Sequence, residues 1–515
     1  MSSSDSSRFL TAWLGLWVVW LCVHVFPSPL FGFVLDDWSN VSTARAYPSL
    51  GALWSEAVWH PQRPVSCLIS RTGFYLLDDA PAVFGVLSSV AWGALMGLML
   101  WVGRALRGQL SDGVLAGLIF SAIPTMSEAI NWPTMILSEA LVSLPAYLVA
   151  TAAFRKGLCG ERVHAGWAAV CGGSFLVGLL AYEIGVFLPL AWAVWFPWKD
   201  WKRRLLGIAP LAGAGVFWLL WRVTKAFGKG ADWALASHFS VDTEAHSLGT
   251  QIVTNAKDLV HWWVGRDMGG SFVRGWAGLG DHGGAVLLVF VAAGIAAFLV
   301  RSAVKMHTPS CPCRAFVFAV SWAWAGLLLS LVSYTASRLN VIPAMGLAWA
   351  LAVMIPRRLL AGPKAVLFLL LLVPGWLANV GTTIQWSEAG AFCARAFGEV
   401  QTQYPEWEGK SYVVFDSRAL VAASDANHPM TAVATHSNAG LFRGFVGLAW
   451  LDLAAGGKTK VNPIFDQEFG VELRDGFMHW HARYQPDTVN EPVAADRIFV
   501  VDLWEAGKPL PGQKD

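Results

Sequence analysis

Charge is scarce in this chain. Only 14% of its 515 residues are Asp, Glu, Lys or Arg, whereas 55% are hydrophobic and the mean hydropathy is +0.49. Soluble domains carry roughly a quarter charged residues, so there is too little polar sequence here to coat a water-soluble core. An excess of one sign is missing too: 37 basic residues against 35 acidic ones leave +2, which argues against a dedicated nucleic-acid binder. Cysteine is sparse, with seven residues scattered and several inside apolar runs, so no disulfide framework is implied. The one close pair, Cys311-Pro312-Cys313, is a weak metal or redox signal by itself. No internal repeat and no low-complexity tract appear. The first apolar run ends in Val25-Phe26-Pro27-Ser28 without a small-x-small cleavage site, so it is expected to be a retained helix and not a signal peptide.

What is abundant is apolar sequence in pieces of bilayer length, ~20 residues. Eleven such runs fall at 9–27, 82–102, 109–125, 134–154, 165–181, 184–198, 205–223, 284–301, 315–333, 339–356 and 365–384. They predict an all-α polytopic membrane protein with about 11 transmembrane helices. The fifth and sixth are short, with only Tyr182-Glu183 between them, and read as tilted or as one broken pair. Basic residues set the orientation. Arg104/Arg107, Arg155/Lys156/Arg162, Lys199/Lys202/Arg203/Arg204, Arg301/Lys305/Arg314 and Arg357/Arg358/Lys364 fill alternate loops. The opposite short loops, around Glu128, Glu183 and Ser337, hold almost only Arg338. The N-terminus is therefore expected in the cytoplasm, and an odd number of crossings places the C-terminus outside.

Residues 1–384 form the expected membrane domain. It has a first outer loop at 27–81, where 37–59 reads as an interfacial helix, and a large outer loop at 224–283, where 250–264 is amphipathic. Residues 385–515 have soluble composition and read as a small α/β extracytoplasmic C-terminal domain. Its helical stretch is 387–403, and its strands include 411–415 and 497–501. His238, Asp242, Glu244, His246 and His261 lack a tight ligand spacing such as H-x-x-x-H, so they read as polar loop residues. His479 and His481 alternate on a strand as a solvated face would, and Asn40-Val41-Ser42 fits a glycosylation sequon of a kind common by chance. The 29 Trp fit interfacial belts, with a few in outer loops suited to stacking on sugar rings.

The stretch Phe33-Val34-Leu35-Asp36-Asp37-Trp38 places two adjacent carboxylates just beyond the first run. Paired acids shielded by membrane or protein commonly serve a ligand, a proton or a cation; an acidic turn or a helix cap is the plainer account. Four further segments join it: Arg63-Pro64-Val65-Ser66, Ile123-Pro124 through Ser127-Glu128-Ala129-Ile130-Asn131-Trp132, Tyr182-Glu183-Ile184-Gly185 with Leu188-Pro189-Leu190, and Ser337-Arg338 with Pro343-Ala344-Met345-Gly346-Leu347. Taken in order, these resemble the outer-loop motifs of GT-C class polyprenyl-phosphate-sugar-dependent glycosyltransferases. The nearest likeness is to the membrane half of the transmembrane and tetratricopeptide-repeat O-mannosyltransferases and their bacterial relatives. The likeness covers roughly residues 9–355, and no tetratricopeptide pattern follows. The sequence departs from the motifs at Ile123, Thr134-Met135, Tyr182 and Ser337, which bears on the sugar and the acceptor.

The resemblance implies inverting transfer of a sugar from a polyprenyl-phosphate donor to an acceptor hydroxyl on the extracytoplasmic face. The acceptor would be a glycan, a lipid or a protein, and the membrane a bacterial inner membrane. Asp36 or Asp37 would be the base, with the other acid holding the acceptor or a divalent cation. Glu128 would bind sugar hydroxyls or assist Asp36; its plainer role is a cap. Arg338 would hold the donor phosphate, with Arg63 and His60 as second choices, against a plain snorkelling role. Glu183, Trp132 and Trp38 would support the site; Glu183 is equally suited to a structural pair. Two rivals stand beside this reading. A transporter or flippase for lipid-linked sugars would show pseudo-repeats and broken helices at mid-membrane. A receptor-like relative would bind lipid-linked sugars without chemistry.

Overall fold

The computed structural model describes residues 3–27, 33, 36–58, 63–77, 80–107, 109–160, 162–228, 248–263, 269, 272–273, 275–276, 279, 282–305, 313–332, 337–356, 360, 363–416, 444–456, 458–465, 469–482 and 490–503. Helix α1 (Ser3–His24) leads to α2 (Asp36–Ala46), α3 (Leu50–Ala57) and α4 (Pro64–Leu77). Then come α5 (Pro81–Arg107), α6 (Leu110–Ser121), the single turn α7 (Ser127–Asn131) and the long α8 (Pro133–Leu158). The bundle continues with α9 (Ala165–Ala181), α10 (Leu188–Trp192), α11 (Trp201–Gly228), α12 (Leu248–Trp263), α13 (Gly283–Lys305), α14 (Cys313–Val332), α15 (Val341–Met354) and α16 (Lys364–Thr402).

Among the described residues seven helices are long and apolar enough to cross a membrane: α1, α5, α8, α11, α13, α14 and α16. Shorter apolar helices occupy the other four runs, at α6, α9, α10 and α15. The segment expected at 184–198 is broken up: a short α10 flanked by 3₁₀ turns at Glu183–Gly185 and Trp198–Asp200.

Buried polar groups tie the bundle together. The Ser121 carbonyl, at the end of α6, takes hydrogen bonds from His24 Nε2 (3.1 Å) and Asn379 Nδ2 (3.0 Å), while Trp376 Nε1 donates to Ser121 Oγ (2.9 Å). One helix end thus joins α1 and α16, and orphan carbonyls left by helix termination find partners. At the far end of α8, Arg204 Nη1 donates to the Leu158 carbonyl (2.5 Å) and Nη2 to that of Gly160 (2.8 Å). A cation suits a helix C-terminus, so this basic residue of an expected cytoplasmic loop also holds the fold.

Helix α16 runs unbroken for 39 residues, so residues 384 and 385, the expected divide between domains, lie inside one helix. Beyond it come α17 (Tyr404–Trp407), β1 (Tyr412–Asp416), α18 (Gly444–Ala454), β2 (Asn462–Phe465), β3 (Phe469–Arg474), β4 (Phe477–Ala482), β5 (Val493–Ala494) and β6 (Ile498–Asp502). Strand β1 pairs in parallel with β2 and β6, in the order β2-β1-β6, and β3-β4-β5 form an antiparallel sheet. The β3–β4 turn is Asp475-Gly476, both with positive φ (56° and 80°), the conformation that a tight two-residue hairpin requires.

This C-terminal part packs on α2. Trp38 meets Trp450 of α18 edge-on at 5.8 Å and Phe397 of α16 at 4.9 Å, and its indole donates to the Phe33 carbonyl (3.1 Å). Phe33 in turn sits edge-on against Phe74 and Phe84. A second hydrophobic core, separate from that of the bundle, forms around the helix that opens with Asp36-Asp37.

Candidate active site

The loop between α6 and α8 builds the first half of the site. Pro133 at the start of α8 forces Trp132 into an extended conformation (φ −97°, ψ 113°), so the chain turns sharply after α7. Glu128, on α7, is completely buried. Its Oε2 accepts from Arg338 twice, from Nη1 at 3.0 Å and from the backbone N–H at 3.2 Å. Arg338 lies on a 3₁₀ turn, Ser337–Asn340, held in place by Asn340: its Nδ2 donates to the Thr125 carbonyl (3.2 Å), and its Oδ1 accepts from Trp263 of α12 (3.0 Å). The guanidinium also donates through Nε to the Tyr182 hydroxyl (2.9 Å) and sits 5.5 Å over the Trp132 ring.

Tyr182 connects the second half. Arg63, just before α4, lies 3.9 Å over its ring and forks onto Glu183, Nε to Oε2 at 3.0 Å and Nη2 to Oε1 at 3.1 Å. Arg222, near the end of α11, reaches the same carboxylate at 2.8 Å. Its Nε is buried without a hydrogen-bond partner. Three guanidiniums from three distant parts of the chain thus converge on one tyrosine and two ion-paired glutamates. Forked guanidiniums are suited to phosphate as well as carboxylate, and all three keep a little exposure, 16–21% of their side-chain surface.

The Tyr182-Glu183 corner is held from below. Tyr147 of α8 donates its hydroxyl to the Tyr182 carbonyl (2.6 Å). Its ring is pinched between Gly178 and Gly185, where a Cβ would sit 2.6 and 2.7 Å from ring carbons. Gly178→Ala is expected to cost about 1–3 kcal/mol, the usual penalty of forcing volume into a packed core. A thermal melt of the purified protein checks this; an unshifted Tm would mean that the ring can yield.

Asp37 is fully buried on α2, and its Oδ1 accepts from the Thr134 N–H (2.9 Å) and hydroxyl (2.5 Å). Asn40, one turn on, donates to the same Thr134 hydroxyl (3.1 Å), so its amide is part of this contact. Asp37 therefore caps the first turn of α8 from another helix, two residues from the Trp132 that lies under Arg338. Trp38 lies in the second hydrophobic core, to which Trp132 also belongs. The backbone of Asp36 opens α2, while its side chain and the whole of His60 lie outside the described residues, as do Cys311, His238, Asp242, Glu244 and His246. No group of three His, Cys, Asp or Glu with metal-holding geometry occurs among the described residues.

Of the residues singled out from sequence, Glu128, Arg338, Trp132, Glu183 and Arg63 share one network, with Asp37 at its edge. Sequence reasoning missed Arg222, counted inside an apolar run, and Tyr182, noted only as a departure from the motif. It also missed Glu139, an acid within the run 134–154, whose charge in a span was the available signal. Glu139 is completely buried, and neither of its oxygens has a hydrogen-bond partner.

No protein-family model matches the chain, and no curated protein matches it. Among solved structures it is similar to ArnT from Cupriavidus metallidurans bound to undecaprenyl phosphate, with 14% identity over 80% of this chain and 83% of that one and a TM-score of 0.43. At that TM-score the site has to be understood from its own residues.

Proposed function

We propose that the chain is a membrane glycosyltransferase of the GT-C kind, moving a sugar from a polyprenyl-phosphate donor to an acceptor hydroxyl on the extracytoplasmic face. The observation that carries this is the convergence of Arg63, Arg222 and Arg338 on the Tyr182-Glu183 corner, Arg63 and Arg338 at the tyrosine and Arg63 and Arg222 at the glutamate, beside the helix that begins Asp36-Asp37. Such a cluster suits the phosphate of a lipid donor lying between apolar helices. In the transfer the bond from the sugar's anomeric carbon to the phosphate oxygen breaks, and the acceptor oxygen takes its place from the opposite face. The hydroxyl proton passes to a carboxylate, and the lipid phosphate leaves with the bonding electrons. Asp36 is the base in this reading, and Asp37, locked on Thr134, positions it. Arg338 and its neighbours offset the charge that develops on the phosphate. The C-terminal part, packed on α2 through Trp450, selects the acceptor.

The test is release of free polyprenyl phosphate from a panel of polyprenyl-phosphate sugars. Wild type is expected to turn over one donor class, and the Asp36→Asn, Asp37→Asn double variant none. Full turnover by the double variant would sink the assignment. The receptor-like reading draws on one observation, the complete pairing of Glu183 with Arg63 and Arg222; it predicts donor binding without any release.

A further inference from the structure

Glu139 has no part in the network of ion pairs described above, and nothing in the packing explains it. It lies in a π-helical stretch of α8, Ile136–Ser143, where the Leu144 N–H donates to the Glu139 carbonyl five residues back. Pro145 follows and has no N–H to offer Leu141, so the regular α-helical ladder is interrupted at this place. Stretches of this kind occur frequently at functional sites. Among the described residues Glu139 is the one acid with both oxygens buried and unpartnered. The π-helical stretch packs against α7, which carries Glu128, and against α4, which Arg63 directly precedes, so Glu139 lies near the groups assigned to the donor phosphate. Thr125 Oγ1, Asn131 Oδ1 and Trp132 Nε1, on the same stretch of chain, are also buried without partners.

Buried polar groups in folded proteins are almost always satisfied, and exceptions call for an explanation. A protein gains nothing in stability from an unmet carboxyl among apolar helices. We infer that Glu139 belongs to the subsite for the donor's sugar, where its two oxygens accept hydrogen bonds from hydroxyls of a polyhydroxylated ring attached to the phosphate. This rests on the donor reading given above and goes beyond it, since it names the residue that tells a sugar-bearing lipid phosphate from a bare one. The ring would lie against Trp132, whose indole edge and face are both suited to a sugar.

Binding measurements on the whole protein in nanodiscs test this, with polyprenyl-phosphate sugars and bare polyprenyl phosphate as probes. Wild type is expected to prefer one sugar-bearing lipid to the bare phosphate. Glu139→Leu should bind bare polyprenyl phosphate as wild type does, yet bind the sugar-bearing lipid on the order of 10- to 100-fold more weakly. Glu139→Gln, which keeps an acceptor oxygen, should fall between the two. Glu139→Leu should also melt no lower than wild type, because an apolar side chain of similar size replaces an unpaired acid. A sugar preference intact in Glu139→Leu overturns the inference and leaves the donor reading standing. So does a melt well below wild type, which would make Glu139 a packing group. Wild type that binds neither lipid overturns both.

Discussion

Arg338→Ala is expected to lower the stability of the protein by about 3–5 kcal/mol, the cost of leaving one partner of a buried ion pair alone. The reason is Glu128, which has no exposed surface and takes two hydrogen bonds from Arg338, one through the guanidinium and one through the backbone. Alanine keeps the backbone donor and removes the charge. Donor turnover should fall by about 10²–10³-fold, as when a fixed electrostatic donor is removed from a transition state. Two companion variants separate the effects. Arg338→Lys supplies a point charge for Glu128 but cannot also span to the Tyr182 hydroxyl or fork onto a phosphate. It should recover part of the stability and little of the rate. Arg338→Met with Glu128→Gln removes both charges, so stability should return towards wild type while turnover stays lost. Thermal melts and phosphate release on the same preparations decide it. A double variant as unstable as Arg338→Ala would show that the pair is not what stabilises this corner.

Much of the frame was legible because apolar length is a local property, and each of the eleven apolar runs carries a helix. The difference in length between α16, 39 residues, and the 3-residue turn at Glu183–Gly185 was not legible: nothing in a hydropathy run marks where a helix emerges from the membrane and continues. Glu128 and Arg338 were singled out separately, 210 positions apart, as lone charges in short outer loops; that they pair follows from the fold. The Arg63–Glu183–Arg222 group shows the limit more sharply. An acid placed between two apolar runs needs a partner, yet Arg63 is 120 residues away and no spacing rule names it. Arg222 was hidden as the last polar residue of a span. Glu139 was hidden differently, since one carboxylate in twenty apolar residues leaves the run's hydropathy almost unchanged while dominating its chemistry.

The neighbouring acids of α2 should separate cleanly on substitution. Asp37→Ala removes the carboxylate that accepts from the buried Thr134 N–H and is expected to cost about 1–3 kcal/mol, as for an orphaned buried donor. Asp37→Asn keeps an Oδ1 that can accept both Thr134 bonds, so it should melt near wild type. If Asp37 only positions its neighbour, turnover by Asp37→Asn should stay within about tenfold of wild type, or ~1.4 kcal/mol of barrier. Asp36→Asn should instead lose about 10²–10⁴-fold, the usual contribution of a general base. The opposite order, with Asp37→Asn the slower enzyme at unchanged Tm, would move the base to Asp37. The Thr134 contact would then be a bond that the carboxylate has to give up when it takes the acceptor's proton. Thr134→Ala distinguishes these cases further. It deletes the hydroxyl and keeps the N–H, so it should slow an enzyme whose Asp37 is a positioning group and quicken one whose Asp37 is the base.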